Sequence, residues 1–90
     1  SNPDDNVPSH LSQNSVRVIY NGAAVAGTPI IARMAMDKKL EANILYAQTK
    51  CIGDKVFGNM ILGINGGGEQ LEAAVEYLEN IPDIIVRREI

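Results

Sequence analysis

Few side chains in this sequence could do chemistry, and their spacing limits what that chemistry could be. His10 and Cys51 are the single histidine and the single cysteine. His10 sits in a polar N-terminal stretch with no cysteine or carboxylate cluster at ligand spacing, so it reads as a solvated side chain. Cys51 has no second cysteine to pair with and no neighbouring histidine to deprotonate it, so it reads as a structural thiol rather than a nucleophile. One cysteine also excludes an internal disulfide, a structural zinc site and a metal chaperone built on a cysteine pair. Glu69, Glu72, Glu76 and Glu79 could in principle pair for acid–base work. They fall opposite the stripe Leu71, Ala74, Val75 and Leu78, which makes them the wet face of a helix. "NGGGEQ" at 65–70 precedes a helix as phosphate-cradling loops do, but it lacks a Gly-Lys-Ser/Thr ending and reads as a loop that needs positive φ. With no Ser/His/Asp or Cys/His set, no catalytic residue, metal ligand or cofactor is assigned, and the expectation is a binding domain rather than an enzyme.

Composition points the same way. Ninety residues make one small domain. A net charge of −3 and a pI near 4.9 argue against a nucleic-acid surface, which needs clustered cations. An RNA-binding sheet would also need an aromatic-Gly-aromatic run, and Tyr46 and Phe57 do not supply one. No apolar stretch approaches the ~20 residues that cross a bilayer, and the N-terminal residues lack the basic-then-apolar pattern of a signal peptide. A lone cysteine suits a reducing cytoplasm. No direct membrane insertion is expected.

The elements that must position any site follow from periodicity. Residues 1–14 read as a flexible linker or tail, and 15–90 as the folded domain. "SVRVIY" alternates with β-branched and aromatic residues and predicts a strand over roughly 15–21. Thr28 suits a helix N-cap and Pro29 the first helical position. The helix then runs to about Lys39, with Ile30, Ile31, Met34 and Ala35 on one face. "ANILYAQTKCI" and "VFGNMILGI", joined by Gly53-Asp54, predict an antiparallel hairpin. A second helix spans about 69–80, stopped by Asn80 and Pro82, and "DIIVRREI" is a last strand. The order β-α-β-β-α-β predicts an α+β, ferredoxin-like fold: a four-stranded antiparallel sheet with both helices on one face. The second and third strands, taken as central, are apolar at both parities. That predicts a covered second face, and a partner subunit is the available cover.

Small and polar residues then appear gathered at one end of the sheet: the 22–29 loop, Ala42-Asn43, and Phe57-Gly58-Asn59-Met60. Asn43 is depleted in strands, so it is either a turn residue between helix and strand or an amide placed to hold something. Gly58 inside a strand marks either a curving bulge or a close backbone approach, by a ligand or a partner chain. Both readings of each stand at this point.

"SVRVIYNGAAVAGTPIIARM", "EANILYAQTKCIGDKVFGNMILGING" and "LEAAVEYLENIPDIIVRREI" together resemble the NIL domain, the C-terminal regulatory module of the ATP-binding subunit of bacterial methionine ABC transporters. The telling pieces are Asn43-Ile44, Phe57-Gly58 followed by Met60, and Gly22 with Pro29. The resemblance implies an ACT-like domain that forms a homodimer, binds L-methionine at or near the dimer interface, and lets cytoplasmic methionine restrain uptake (transinhibition). It implies Asn43 as the first ligand contact, with Ile44, Pro29, Gly58 and Met60 shaping an apolar pocket. It places ATP and Mg²⁺ only in a parent ATPase, a permease subunit as that parent's partner, and the domain at the cytoplasmic face of the membrane. Two other readings remain: a ligand-free structural dimerisation module, and an ACT-like sensor of another amino acid.

Overall fold

A computed structural model describes residues 14–24 and 29–89, with the side chain of residue 89 left aside. The tail reading of 1–13, His10 and the Thr28 cap lie outside the described residues. The element order is β1 (Ser15–Ala23), α1 (Ile30–Lys38), β2 (Ala42–Ile52), β3 (Lys55–Ile64), α2 (Gly68–Glu79) and β4 (Ile84–Glu89). The strands form one antiparallel sheet in the order β2-β3-β1-β4. This is the ferredoxin-like arrangement expected of the sequence.

The core lies between one face of the sheet and the two helices. Val16, Val18 and Tyr20 of β1 point into it, opposite Leu62, Met60 and Gly58 of β3. Ile30 and Met34 of α1 and Ala74, Val75 and Leu78 of α2 complete it. The period of two in the strands and of 3.6 in the helices therefore meet on one surface. α1 starts one residue later than its sequence suggests. Pro29 is the cap, and its carbonyl accepts from the Arg33 N–H at 2.9 Å. α2 opens at Gly68, where the Gly67 N–H donates to Gln70 Oε1 at 2.8 Å. Loop and cap chemistry thus account for "NGGGEQ". Arg88 of β4 grips Glu72 through Nε at 3.0 Å and a second nitrogen at 2.6 Å, fastening α2 to the edge of the sheet.

Two expectations about the sheet need correction. β2 is an edge strand, not a central one, because β3 and β1 occupy the middle. The apolar residue at the centre of the outer face, Ile61, is only 2% exposed without any partner chain. Its cross-strand neighbours on that face, Arg17 and Tyr46, flank it. Long side chains lay their stems over apolar neighbours, so the centre of this face is covered from within. Among the described residues, the large apolar ones that stay exposed are Met36, Ile44, Ile52 and Ile85, two of them on β2.

Gly58 is explained by its own hairpin. Its φ is +121°, and a Cβ there would strike the Gln48 carbonyl and lie 2.8 Å from Thr49 Cα. The close backbone approach is made by β2 itself.

Gly58→Ala combines a strained φ, worth about 1–3 kcal/mol, with a clash against backbone that cannot rotate away. We expect a fall in Tm of at least about 10 °C by calorimetry; a loss of only a degree or two would mean the strands separate freely here. The hydrogen bond from Arg88 holds the Glu72 carboxyl below its ordinary range. A lowered folded-state pKa stabilises above the unfolded value and is lost as pH falls through the folded one. Glu72→Gln should therefore lower the urea midpoint at pH 7, with the difference closing as pH drops below the carboxylate range.

Candidate functional site

β1 and β2 both pair antiparallel to β3, so they run parallel to each other, and α1 carries the chain back to the starting end of the sheet. The end of β1 and the first residues of β2 therefore lie at opposite ends of the sheet. This overturns the expectation that the 22–29 loop, Asn43 and Gly58 gather at one end. Along β2, Asn43 and Thr49 are six residues apart, roughly 20 Å in an extended strand.

The structure distributes four of the five sequence-derived residues, all but Ile44, over three recesses. Pro29 and Met60 come together at the start of α1, in an apolar recess of about 290 Å³ lined also by Tyr20, Ile30, Ile31, Ala32, Thr49, Cys51 and Val56. Gly58 lines a second groove with Gln48, Thr49, Lys50, Phe57 and Asn59, about 410 Å³. Asn43 lines a third, of about 180 Å³, at the far end of the sheet with Asn14, Leu45, Gly63 and Asn65. Asn43 pairs with Gly63 inside the β2–β3 ladder. The turn reading of Asn43 therefore falls; the chain turns earlier, at Lys39, whose φ of 54° is left-handed. Ile44 is 60% exposed on the outer edge of β2.

The apolar recess has the more ligand-like chemistry. Its wall is aliphatic and thioether, and its floor holds the Tyr20 hydroxyl, 4.0 Å from Met60 Sδ. Burial pushes the Tyr20 hydroxyl above its ordinary pKa, so it stays protonated and donates. The Cys51 thiol is exposed at the rim beside Thr49. Tyr20, Thr49 and Cys51 were missed as site residues by the sequence reading. Tyr20 looked like one more alternating core residue, and only the distance between α1 and β2 makes it a pocket floor. Among the described residues, no three His, Cys, Asp or Glu side chains stand together as a metal would require. Nor, among those residues, is any helix long and apolar enough to cross a membrane.

With this geometry, comparison with known proteins becomes informative. The family model of the NIL domain matches residues 14–82. The chain belongs to the NIL domain family. This NIL domain is 31% identical over 71 residues, 79% of its length, to the methionine import ATP-binding protein MetN 3 of Oceanobacillus iheyensis. It is 36% identical over 64 residues, 71% of its length, to the methionine import ATP-binding protein MetN of Chromohalobacter salexigens. It spans only about a fifth of those relatives, 20% and 18%. In three dimensions it is similar to the C-terminal domain of an ABC transporter ATP-binding protein from Enterococcus faecalis, with a TM-score of 0.66 over 80% of each chain. At 22% identity, that likeness concerns the fold.

The recess makes Cys51 a reporter. An exposed thiol at an apolar rim should alkylate with iodoacetamide as fast as a free cysteine in denaturant, within a few-fold. Alkylation more than a hundred-fold slower would mean that the rim is closed in solution.

Proposed function

We propose that this NIL domain is a non-catalytic, homodimeric sensor that binds L-methionine and regulates a methionine-importing ABC transporter from within its ATP-binding subunit. The observation that carries the reading is the recess in which Pro29 and Met60 meet. At about 290 Å³ it is at the small end of ligand pockets, which run roughly 300–1,000 Å³. That suits an amino acid. A flexible thioether side chain packs well against Met60, Ile30 and Val56, while the Tyr20 and Thr49 hydroxyls offer polar contacts. The names of the relatives, methionine import ATP-binding proteins, supply the ligand class that apolar lining alone does not choose.

In this reading the domain takes no metal or cofactor of its own. ATP and Mg²⁺ belong to the parent ATPase, a permease subunit is the parent's membrane partner, and the domain works at the cytoplasmic face. Regulation is a population shift: methionine binds one arrangement of the paired domains better and so holds the attached ATPases away from the closed state. Asn43 and Ile44, roughly 20 Å along β2 from the recess of their own chain, contribute to the ligand site from the second copy of the pair, and Gly58 serves it indirectly, by letting β2 and β3 approach. The exposed edge of β2 favours a second reading, a ligand-free dimerisation module.

Isothermal titration of the chain with L-methionine separates the two. Saturable binding at or below millimolar ligand is expected, with leucine weaker. Ala32 is exposed at the recess, so Ala32→Trp should fill it at little cost in Tm and weaken methionine at least ten-fold. Unchanged affinity in that variant would move the site elsewhere, and a Tm indifferent to every amino acid would leave the dimerisation module. Asn43→Ala should also weaken binding while melting stays cooperative.

A further inference from the structure

Asparagine is chemically labile because its side-chain amide can be attacked by the next backbone nitrogen. The attack is fastest where glycine follows, since a residue without a Cβ lets its nitrogen swing onto the side-chain carbonyl carbon. The chain holds two such steps, Asn21-Gly22 and Asn65-Gly66. Both asparagines are exposed, so solvent access does not choose between them. Backbone geometry does. Asn21 stands inside β1, its Cα paired with that of Phe57 and its N–H donating to the Asp83 carbonyl at 2.9 Å. Closing the succinimide ring turns ψ away from the extended value of about +135° that strand pairing enforces, so Asn21 is locked. Asn65 lies just beyond the end of β3, in the bend that leads to α2. Gly66 is exposed there with a φ of +105°, and among the described residues no carbonyl or side chain accepts its N–H.

The fold favours each residue of this pair for a reason of its own. Gly66 has a positive φ, and a Cβ there would lie 2.8 Å from side-chain atoms of Gln70. Gln70 is held in place by its own task, since its Oε1 accepts the Gly67 N–H at 2.8 Å and closes the first turn of α2. Asn65 is a clasp. Its N–H donates to the Glu41 carbonyl and its Nδ2 to Glu41 Oε1, both at 2.9 Å, which ties the loop after β3 to the residue before β2. The step that serves the helix cap and the clasp is therefore also the one open to self-attack.

We propose that Asn65 is a site of spontaneous deamidation, at which the folded domain acquires a carboxylate with age, while Asn21 is protected by its strand. The Gly66 nitrogen gives its proton to hydroxide and bonds to Asn65 Cγ; the Cγ–Nδ2 bond breaks and ammonia leaves with a proton from water. Water then opens the succinimide. Breaking the new bond to Cγ gives aspartate, and breaking the original peptide bond gives isoaspartate, whose backbone runs through the former side chain. Both products have lost the Nδ2 donor. Aspartate sets a carboxylate oxygen against Glu41 Oε1, where like charges repel, and isoaspartate lengthens the backbone just before the capped turn. The clasp between the loop and the start of β2 is released, at the end of the sheet where Asn14 and Asn43 share a recess with Asn65. This chemistry is independent of the methionine reading above.

Ageing the chain at pH 8, folded and in urea, with peptide mapping by mass spectrometry, provides the test. In the folded chain the peptide carrying Asn65 should gain one mass unit and separate into an aspartate and an isoaspartate form, while the peptide carrying Asn21 stays unchanged. In urea both steps should react at rates within a few-fold of each other. Folding should therefore slow Asn21 at least ten-fold and Asn65 by no more than a few-fold; equal protection of the two overturns the assignment. Because the Gly66 nitrogen must lose its proton, the rate at Asn65 should rise at least ten-fold from pH 6 to pH 8, and a flat profile overturns the succinimide route. Asn65→Asp installs the carboxylate at once and should melt at least about 2 °C below the wild-type chain at pH 7. Glu41→Gln, added to that variant, supplies an amide that can donate to the new carboxylate and should restore the loss. An unchanged Tm in the single variant, or no recovery in the double one, overturns the release of the clasp.

Discussion

The parallel relation of β1 and β2, imposed by their common partner β3, governs everything else in this domain. A right-handed β-α-β crossover must carry the chain back across the sheet before β2 can begin. α1 does this, and its first turn is thereby set over the far end of the β2–β3 hairpin, with Pro29 and Ile30 beside Met60, Thr49 and Cys51. The recess is a by-product of that crossover, roofed by the start of α1 and floored by the sheet. The same crossover sends Asn43 to the other end. A domain of this topology cannot bring the start of β2 to its own β1–α1 end.

The hairpin supports this arrangement through backbone rather than side chains. At Gly58 the two strands approach so closely that no Cβ fits, and the strain of a positive φ is borne by the residue that pays least for it. At Leu45 an extra residue is bulged out and packs over Gly63. The bulge re-aims the first residues of β2 relative to the rest. Two local irregularities therefore have opposite roles: one tightens the hairpin, the other shapes its free edge.

Much of this was legible in the residues. The alternation in "SVRVIY", the two apolar runs about Gly53-Asp54, and the stripe Leu71, Ala74, Val75 and Leu78 suffice for element order and fold class, because each local period agrees with the packing that follows. The resemblance to NIL domains rested on short pieces of sequence, and the family model's match over residues 14–82 bears it out. The reading of the sheet was less successful. Two strands apolar at both parities looked central and in need of a cover, but β2 is an edge, and Ile61 is flanked on its face by Arg17 and Tyr46. Alternation reports which residues prefer burial, not which neighbour buries them.

By itself the sequence determined the periodic elements, their order, the acidic net charge of the chain and its family, since these depend on residue type and on separations of a few positions. Tertiary structure decided that Asn43 belongs to a strand and not to a turn, that Gly58 answers to Gln48 and Thr49, and that Tyr20, Thr49 and Cys51 join Pro29 and Met60 around one recess. The physical reason is distance along the chain. Tyr20 and Met60 meet across 40 positions, a contact that exists only once α1 has folded the chain back over the sheet, and no local pattern records it.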